Sequence, residues 1–278
     1  MTQIRKHLKW TLVPIALILF SCVTTGPGGR KSLIILPESQ EVALGKSVAE
    51  QVDSTETLYA NEAWQAYITE VGNKIAAVSD RPNLDWQFKV IESDQINAFA
   101  APGGFVYFYT GILNMMDSES ELAAVMAHEI SHVVGRHSVK HLQTALGASV
   151  LAQIALGEEA EGTAGQVAGI VIGLSLTGYG RGHEFEADAF GVHYMTKAGY
   201  NPRGATAMFT KLAQLSGGGD RGFFENLTST HPDTKDRISR IETQIAEMPQ
   251  SARELPHYRD RYQLLKKQLP PPAPQSGG

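Results

Sequence analysis

Cysteine is almost absent from this 278-residue sequence, in which Cys22 is the only one. A disulfide within the chain is therefore excluded, and the fold has to be held together by packing. With 42 % hydrophobic residues, the chain is long enough to bury one substantial core. We therefore expect one main globular domain.

A surplus of basic residues is also lacking. The sequence has 24 Lys and Arg against 29 Asp and Glu, a formal net charge of −5. Without residues 1–21, which hold three basic and no acidic side chains, 21 basic and 29 acidic residues remain, a net charge of −8. A surface of that sign repels phosphate backbones, and no stripe of Lys and Arg offsets it. Nucleic acid is therefore not expected as a partner.

Long hydrophobic runs are missing as well. The apolar segments 142–156 and 163–177 are each shorter than a membrane span, which needs about 20 apolar residues, and glycines interrupt the second segment. Buried or lid-forming helices are expected there, and contact of these helices with lipid stays open. The sequence contains no internal repeat that would indicate a helical-repeat domain.

The first 21 residues have the pattern of a secretion signal. Three basic residues precede an apolar stretch over 10–20, and Cys22 follows directly after the segment. This resembles the lipobox of bacterial lipoproteins and predicts a signal peptide over 1–21 with lipidation at Cys22. Val23 after the cysteine implies anchoring to the outer membrane, facing the periplasm of a Gram-negative bacterium. The alternative is an uncleaved anchor helix with an incidental cysteine.

The rest of the chain divides by composition. Residues 22–32 are rich in Gly, Thr and Pro and predict a flexible tether. Residues 269–278 are Pro-rich without apolar periodicity and predict a disordered tail. The folded domain is expected over residues 33–268.

Within this domain, the apolar spacing predicts both helices and strands. Residues 41–58 and 61–78 have helical spacing, whereas 86–91 and 96–113 are rich in aromatic and β-branched residues around a PGG turn. The remainder is helical. The sequence thus predicts an α+β, mainly helical fold.

The stretch MAHEISHVVGRH suggests a metal site on a helix. Ser118 stands three residues before Glu121, a capping-box arrangement that predicts where this helix begins. His128 and His132 then lie one turn apart on one face, so both imidazoles can bind one tetrahedral Zn²⁺, and Glu129 can reach a water on that metal. The alternative is a surface helix with a chance motif, so a third ligand is needed.

A second helical segment, residues 181–195, offers that ligand. Glu184 and Asp188 are four residues apart and share a face, whereas Glu186 is expected to point away from it. One carboxylate that binds the metal and one acid that orients a ligand imidazole is the arrangement that a catalytic zinc requires. A solvated helix face is the alternative.

Four motifs stand out along the chain: HEISH at 128–132, RGHEFEAD at 181–188, NAFAAPGG at 97–104 and THPDTKDRI at 230–238. Together they resemble the HtpX-like and CAAX prenyl protease type 1 metallopeptidases, in particular their small periplasmic lipoprotein branch. The resemblance covers about residues 40–245. It implies a zincin-type domain with a small β-sheet packed beside the HExxH helix, and one Zn²⁺ per chain. It also implies that Glu184 is the third ligand and that Asp188 is the acid behind the site, a proton donor in some relatives.

Glu129 is the expected general base, because its carboxylate can take a proton from the attacking water and pass it to the departing amine. Arg181 and His231 are candidates for stabilising the oxyanion. The alternative for Arg181 is a structural salt bridge, and the alternatives for His231 are a loop-packing role or blocking of the open zinc position. The other histidines of this region are expected to be surface or packing residues: His137, His141, His183 and His193.

The strand that precedes the zinc helix is a candidate for substrate binding. An extended substrate could pair with Gly104, Phe105, Val106 and Tyr107 as an added strand, because the glycines permit close approach of a backbone. A buried core strand is the alternative, and the two readings are compatible.

The sequence therefore predicts a zinc-dependent endopeptidase anchored to the membrane by an N-terminal lipid. Unfolded or damaged envelope proteins are the substrates that the resemblance implies. Two rival functions stay open, a non-enzymatic zinc-containing binding lipoprotein and a zinc hydrolase of peptidoglycan. The sequence specifies no oligomeric state.

Overall fold

The computed structural model describes residues 22–24, 31–147, 167–173, 178–217 and 234–272. The strands are β1 Cys22–Thr24, β2 Lys31–Leu33, β3 Gln87–Ile91, β4 Ala98–Ala101 and β5 Phe105–Tyr109. The longer helices are α1 Glu38–Thr55, α2 Glu62–Ala76, α4 Glu119–Val134, α5 His137–Leu146, α6 Arg181–Lys197, α7 Arg203–Gly217, α8 Thr234–Glu247 and α10 Arg259–Lys266. The shorter helices are α3 Thr110–Met115 and α9 Gln250–Arg253, and residues 167–173 are also helical. The predicted mainly helical α+β fold is confirmed.

A three-stranded mixed sheet lies at the centre of the fold, in the order β3–β5–β4. β5 pairs in parallel with β3 and antiparallel with β4. Its side chains alternate between two cores: Val106 and Phe108 face one, whereas Phe105, Tyr107 and Tyr109 face the other. This period of two is what a strand buried on both faces requires.

Helices cover both faces of the sheet. The larger core lies between the sheet and helices α2, α4 and α6, and contains the buried Trp64. The smaller core lies between the opposite face, α1, α5 and the helical segment 167–173. Helix α4 thus packs beside the small sheet, as predicted.

Helix α4 begins as the sequence predicts. The Ser118 hydroxyl accepts a hydrogen bond from the backbone N–H of Glu121 at 3.3 Å. The Glu121 carboxylate accepts from the backbone N–H of Asp117 at 2.9 Å, one residue earlier than in a standard capping box. The N-cap prediction is confirmed, with this shift in the reciprocal bond.

Helices α4 and α6 approach each other closely at Gly191. A Cβ atom at this position would lie 3.1 Å from the backbone nitrogen of His128. The missing side chain therefore lets α6 pack directly against the part of α4 that carries the HEISH motif. Glu184 lies two turns before Gly191 on the same helix and consequently faces that motif.

Residues 255–272, here called the C-terminal clasp, wrap around the start of α4. Tyr262 donates its hydroxyl proton to the carbonyl of Leu113 at 2.6 Å, and Lys266 donates to the carbonyl of Met116 at 2.7 Å. The Ser120 N–H donates to the carbonyl of His257 at 3.2 Å. The clasp thus satisfies two carbonyls at the C-terminal end of α3 and one N–H group in the first turn of α4.

The folded domain extends beyond residue 268, the predicted boundary. Residues 269–278 are predicted as a disordered tail, but Leu269 is buried and the carbonyl of Pro270 accepts a hydrogen bond from Asn114 at 2.9 Å. The folded part therefore includes at least these two residues, because apolar burial and a backbone partner hold them.

Several predicted segments fall wholly or partly outside the described residues. The signal peptide over 1–21 and most of the apolar segments 142–156 and 163–177 lie there. Within the predicted tether, β1 and β2 form a short antiparallel pair that joins Cys22 to Leu33. Among the described helices, none combines the length and the apolar character needed to cross a membrane.

Candidate metal centre

Three potential metal ligands meet where α4 and α6 pack together. The Nε2 atoms of His128 and His132 lie 3.0 Å apart. The two carboxylate oxygens of Glu184 lie 3.6 Å from Nε2 of His128 and 3.5 Å from Nε2 of His132. All three side chains are buried. Among the described residues, this is the one group of His, Cys, Asp and Glu side chains arranged to hold a metal ion.

The spacing of these atoms fits a zinc ion. Zinc binds nitrogen and oxygen at about 2.0 to 2.2 Å in tetrahedral geometry, so its donor atoms lie about 3.3 to 3.5 Å apart. The separations of 3.0, 3.5 and 3.6 Å are close to that value. Two imidazoles and one carboxylate are also a ligand set of catalytic zinc, which keeps its fourth position open.

An acid and an arginine support the site from behind. Oδ1 of Asp188 lies 2.9 Å from Nδ1 of His128, on the side of the ring away from the ligand atoms. Arg237, on α8, donates to both oxygens of Asp188 at 2.7 Å and lies 2.8 Å from Oε2 of Glu184. Its guanidinium also stacks on the ring of Phe209, 4.4 Å from the centroid. Arg237 therefore fixes one ligand directly and a second one through Asp188.

The charges of this cluster shift its pKa values. Burial alone would lower the pKa of His128, but the carboxylates of Asp188 and Glu184 outweigh burial and raise this pKa to about 9. Burial opposes ionisation of Asp188, yet Arg237 and His128 hold the pKa of Asp188 below its ordinary value. Asp188 is thus an ionised acceptor that orients His128, a geometry that favours positioning over the proton donation implied by the resemblance.

The other ligand imidazole has a different environment. Nδ1 of His132 lies 2.9 Å from Nδ1 of His137, and Nε2 of His137 lies 3.6 Å from Oε2 of Glu186. The ring of Tyr179 stacks on His132 at 4.1 Å, and its hydroxyl is 2.6 Å from Oγ of Ser138. Glu186 is not part of the ligand group, but the solvated helix face that was the alternative does not describe it, because its side chain is only 9 % exposed and faces His137.

The remaining candidates for catalysis occupy different positions. Glu129 follows His128 on α4 and is 2 % exposed, within the buried part of that helix. Arg181 is the exposed first residue of α6, and the arginine that pairs with Asp188 is Arg237 instead. His231 lies outside the described residues. The roles of Arg181 and His231 stay predictions.

The predicted substrate-binding strand needs a correction. Gly104 lies in the turn before β5, with φ +109°, and Phe105, Val106 and Tyr107 lie in β5 itself. β5 is the central strand, and its backbone is paired on both sides, so a substrate cannot add to it. The buried core strand that was the alternative is what the structure shows. β3 and β4 are the two edge strands of this sheet, and β4 is the edge strand that packs against α4.

A comparison with protein families agrees with this geometry. The sequence profile described as Peptidase family M48 matches residues 62–245, about two thirds of the chain. This chain belongs to peptidase family M48. The resemblance inferred from the four motifs is thereby confirmed, and with it the zincin-like metallopeptidase domain and the zinc cofactor that the ligand set fits.

Three relatives of this chain have names that describe proteases. The chain is 34 % identical over 182 residues to the mitochondrial metalloendopeptidase OMA1 of Schizosaccharomyces pombe, covering 65 % of this chain and 53 % of OMA1. It is 29 % identical over 232 residues to the β-barrel assembly-enhancing protease of Yersinia pestis, covering 73 % and 47 %. The chain spans about half the length of these two relatives. It is 27 % identical over 220 residues to the metalloprotease LoiP of Escherichia coli, covering 76 % and 82 %. The names of all three relatives describe proteases, in agreement with the family of this chain.

Sequence reasoning missed three residues of this M48 centre. Arg237 lies inside the THPDTKDRI motif, but the sequence predicts no role for it. It is four residues before Ile241 and eight before Ile245, and all three are buried on one face of α8. An arginine on the apolar stripe of a helix is a signal for a buried ion pair. His137 and Glu186 gave no comparable signal, because only tertiary packing brings them together.

Proposed function

We propose that this M48 metalloprotease is an endopeptidase that cleaves misfolded or damaged proteins of the bacterial envelope. The main support for peptidase chemistry is the ligand set His128, His132 and Glu184. Glu129 directly follows the first of these histidines. A structural zinc site uses four protein ligands and has no need of a general base. This argues against the non-enzymatic binding protein.

In the proposed reaction, each side chain has one task. Bound zinc would supply Lewis acidity, both for the attacking water and for the carbonyl oxygen of the scissile bond. Glu129 accepts the proton of the water at its carboxylate and delivers it to the departing amine. Asp188 and Arg237 hold His128 and Glu184 in place. Arg181 and His231 remain candidates for stabilising the oxyanion.

We also propose that the substrate binds as an extended strand along β4, on the side that faces away from β5. Support comes from the topology, since β5 is paired on both sides and the outer side of β3 bonds to residues 57–59, whereas β4 contacts α4. Pairing with an edge strand holds a peptide through its backbone, which gives broad sequence tolerance. Unfolded chains offer such extended segments, whereas folded proteins bury them.

The envelope assignment rests on the N-terminal pattern and on the relatives. The name of the Yersinia pestis relative connects that protein to β-barrel assembly. Together with the lipobox-like segment before Cys22, this supports a lipoprotein anchored to the periplasmic face of the outer membrane. Cys22→Ser should shift the protein from the membrane fraction to the soluble fraction, and mass spectrometry should find acyl chains on the wild-type cysteine only. An unmodified wild-type Cys22 would contradict the anchoring.

The activity is tested with the full chain, solubilised in detergent, and casein as an unfolded substrate. Wild type should cleave casein, a chelator should abolish cleavage, and Glu129→Gln should be inactive while retaining about one zinc per chain. Glu50→Gln, a change on an exposed face of α1, serves as the matched control and should keep full activity. Equal cleavage by Glu129→Gln would refute the proposed role of Glu129.

A second comparison separates the substrate classes. The same protein is offered an unfolded outer-membrane β-barrel protein, the same protein after folding into detergent, and purified peptidoglycan. Cleavage of the unfolded protein alone is expected. Release of fragments from peptidoglycan without cleavage of any protein would instead support the cell-wall hydrolase.

A further inference from the structure

We propose that His137, with Glu186 behind it, is a positioning residue for the zinc ligand His132. It would orient the imidazole of His132, as Asp188 orients the imidazole of His128. The proposal rests on the zinc site of the proposed function, but it is independent of which substrate is cleaved.

The first support is the geometry behind His132. The Nδ1 atoms of His132 and His137 lie 2.9 Å apart, with the rings nearly perpendicular at 78°. Both side chains are at most 1 % exposed, so no bulk water competes for this contact. Oε2 of Glu186 lies 3.6 Å from the other ring nitrogen of His137. A buried line of polar atoms therefore runs from the ligand imidazole to a carboxylate.

The second support is that only one arrangement of protons suits these atoms. Nε2 of His132 faces Nε2 of His128 and the carboxylate of Glu184, so Nε2 is the ligand atom. A neutral ligand imidazole then carries its proton on Nδ1, which donates to Nδ1 of His137. His137 consequently carries its own proton on Nε2, the atom that faces Glu186. Each ring nitrogen behind the ligand atom then either carries a proton or accepts a hydrogen bond. The contacts behind His132 end at the carboxylate of Glu186, as the contact behind His128 ends at the carboxylate of Asp188.

The third support is the turn that brings His137 to this place. Between α4 and α5, Arg136 adopts the left-handed conformation with φ 52°, which is unfavourable for a residue with a side chain. Its side chain is held by Glu41, 2.7 Å from Nε, and by the carbonyl of Leu36 at 2.6 Å from Nη2. A Cβ atom at Gly135 would lie 2.4 Å from Nε2 of His137. The turn is thus built so that the ring of His137 fits directly behind His132.

The test compares three variants of the full chain. His137→Leu removes the acceptor, His137→Asn keeps an acceptor oxygen near Nδ1, and His183→Leu is the matched control. The ring of His183 stacks on His137 at 4.4 Å, so its loss perturbs the same packing without removing the contact to His132. Zinc affinity is measured by competition with a chromophoric chelator, and the ligand field by the visible spectrum of the cobalt(II) form.

His137→Leu should bind zinc about 10- to 100-fold more weakly than wild type, the usual effect of losing a partner behind a metal ligand. His137→Asn should recover most of this loss, and His183→Leu should stay within about threefold of wild type. The cobalt spectrum should shift in His137→Leu only. Wild-type affinity in His137→Leu, or an equal loss in all three variants, would overturn the proposal.

Gly135→Ala gives an independent perturbation. Its backbone φ of −71° suits alanine, so the expected effect is displacement of the His137 ring. It should weaken zinc binding as His137→Leu does, and wild-type affinity would count against the proposal. None of these measurements uses proteolysis. A wild type that binds zinc but cleaves no protein would therefore refute the proposed function while leaving the role of His137 open to this test.

Discussion

Replacing Arg237 by methionine should strongly destabilise the apo protein. Arg237 is 1 % exposed and contacts the carboxylates of Asp188 and Glu184, which are 5 % and 0 % exposed, at 2.7 to 2.8 Å. Methionine has a similar length but leaves both carboxylates buried without their cation. Removal of one partner from a buried ion pair costs about 3 to 5 kcal/mol. Because domains of this kind are stable by about 5 to 15 kcal/mol, the loss would be a large share of the total.

The free energy of unfolding is measured by urea denaturation in the presence of a chelator, followed by tryptophan fluorescence and circular dichroism. Arg237→Lys should recover only part of the loss, because an ammonium group cannot span two carboxylates as the planar guanidinium does. Arg240→Met is the control, since Arg240 is exposed and its guanidinium lies 4.2 Å over the ring of Phe185. Its loss should stay within about 1 kcal/mol. A similar small loss in Arg237→Met would refute this account of the buried cluster.

Three further changes test the contacts where α3 ends and α4 begins. Ser118→Ala removes the N-cap and should lower the free energy of urea unfolding by about 0.5 to 2 kcal/mol. Tyr262→Phe removes the donor to the buried carbonyl of Leu113 and should cost about 1 to 3 kcal/mol in the same assay. Lys211 lowers the pKa of Asp117 below 3.8, and a carboxyl group with a lowered pKa stabilises the fold above its ordinary pKa and loses this effect as pH falls. Asp117→Asn should therefore be less stable than wild type at pH 7, and the difference should vanish in strong acid; a difference that stays constant with pH would contradict this.

The sequence predicts those parts of the fold and site that depend on local spacing. His128 and His132 share a helix, so four residues of separation are enough to place them on one face. The N-cap at Ser118 and the strands on either side of the PGG turn are local in the same sense. These predictions are confirmed because the helical and strand periods do not change with tertiary context.

The sequence does not predict which strands are neighbours. β5 follows β4 in the chain but inserts between β3 and β4, and nothing in the alternation of its side chains specifies this order. The substrate-binding prediction for residues 104–107 failed for this reason. Sequence identified a strand beside the zinc helix, but only the topology shows that its backbone has no open side.

Residues that act through other residues are the hardest to predict. Glu186 has the charge and spacing of a solvated helix face, and His137 stands at the start of a different helix. Their contact depends on the turn at Gly135 and Arg136, which in turn depends on Glu41 about 100 positions earlier. Such a chain of long-range contacts leaves no periodic pattern in the sequence.

The C-terminal clasp has a consequence for the order in which the domain can fold. The clasp lies beyond the region that the family profile covers, yet it binds the carbonyls of Leu113 and Met116, just before the helix that carries two zinc ligands. The three ligands His128, His132 and Glu184 all precede Arg237 and the clasp in the chain. We therefore expect the metal centre to reach its final geometry only when residues 234–272 have packed against the helices that precede them.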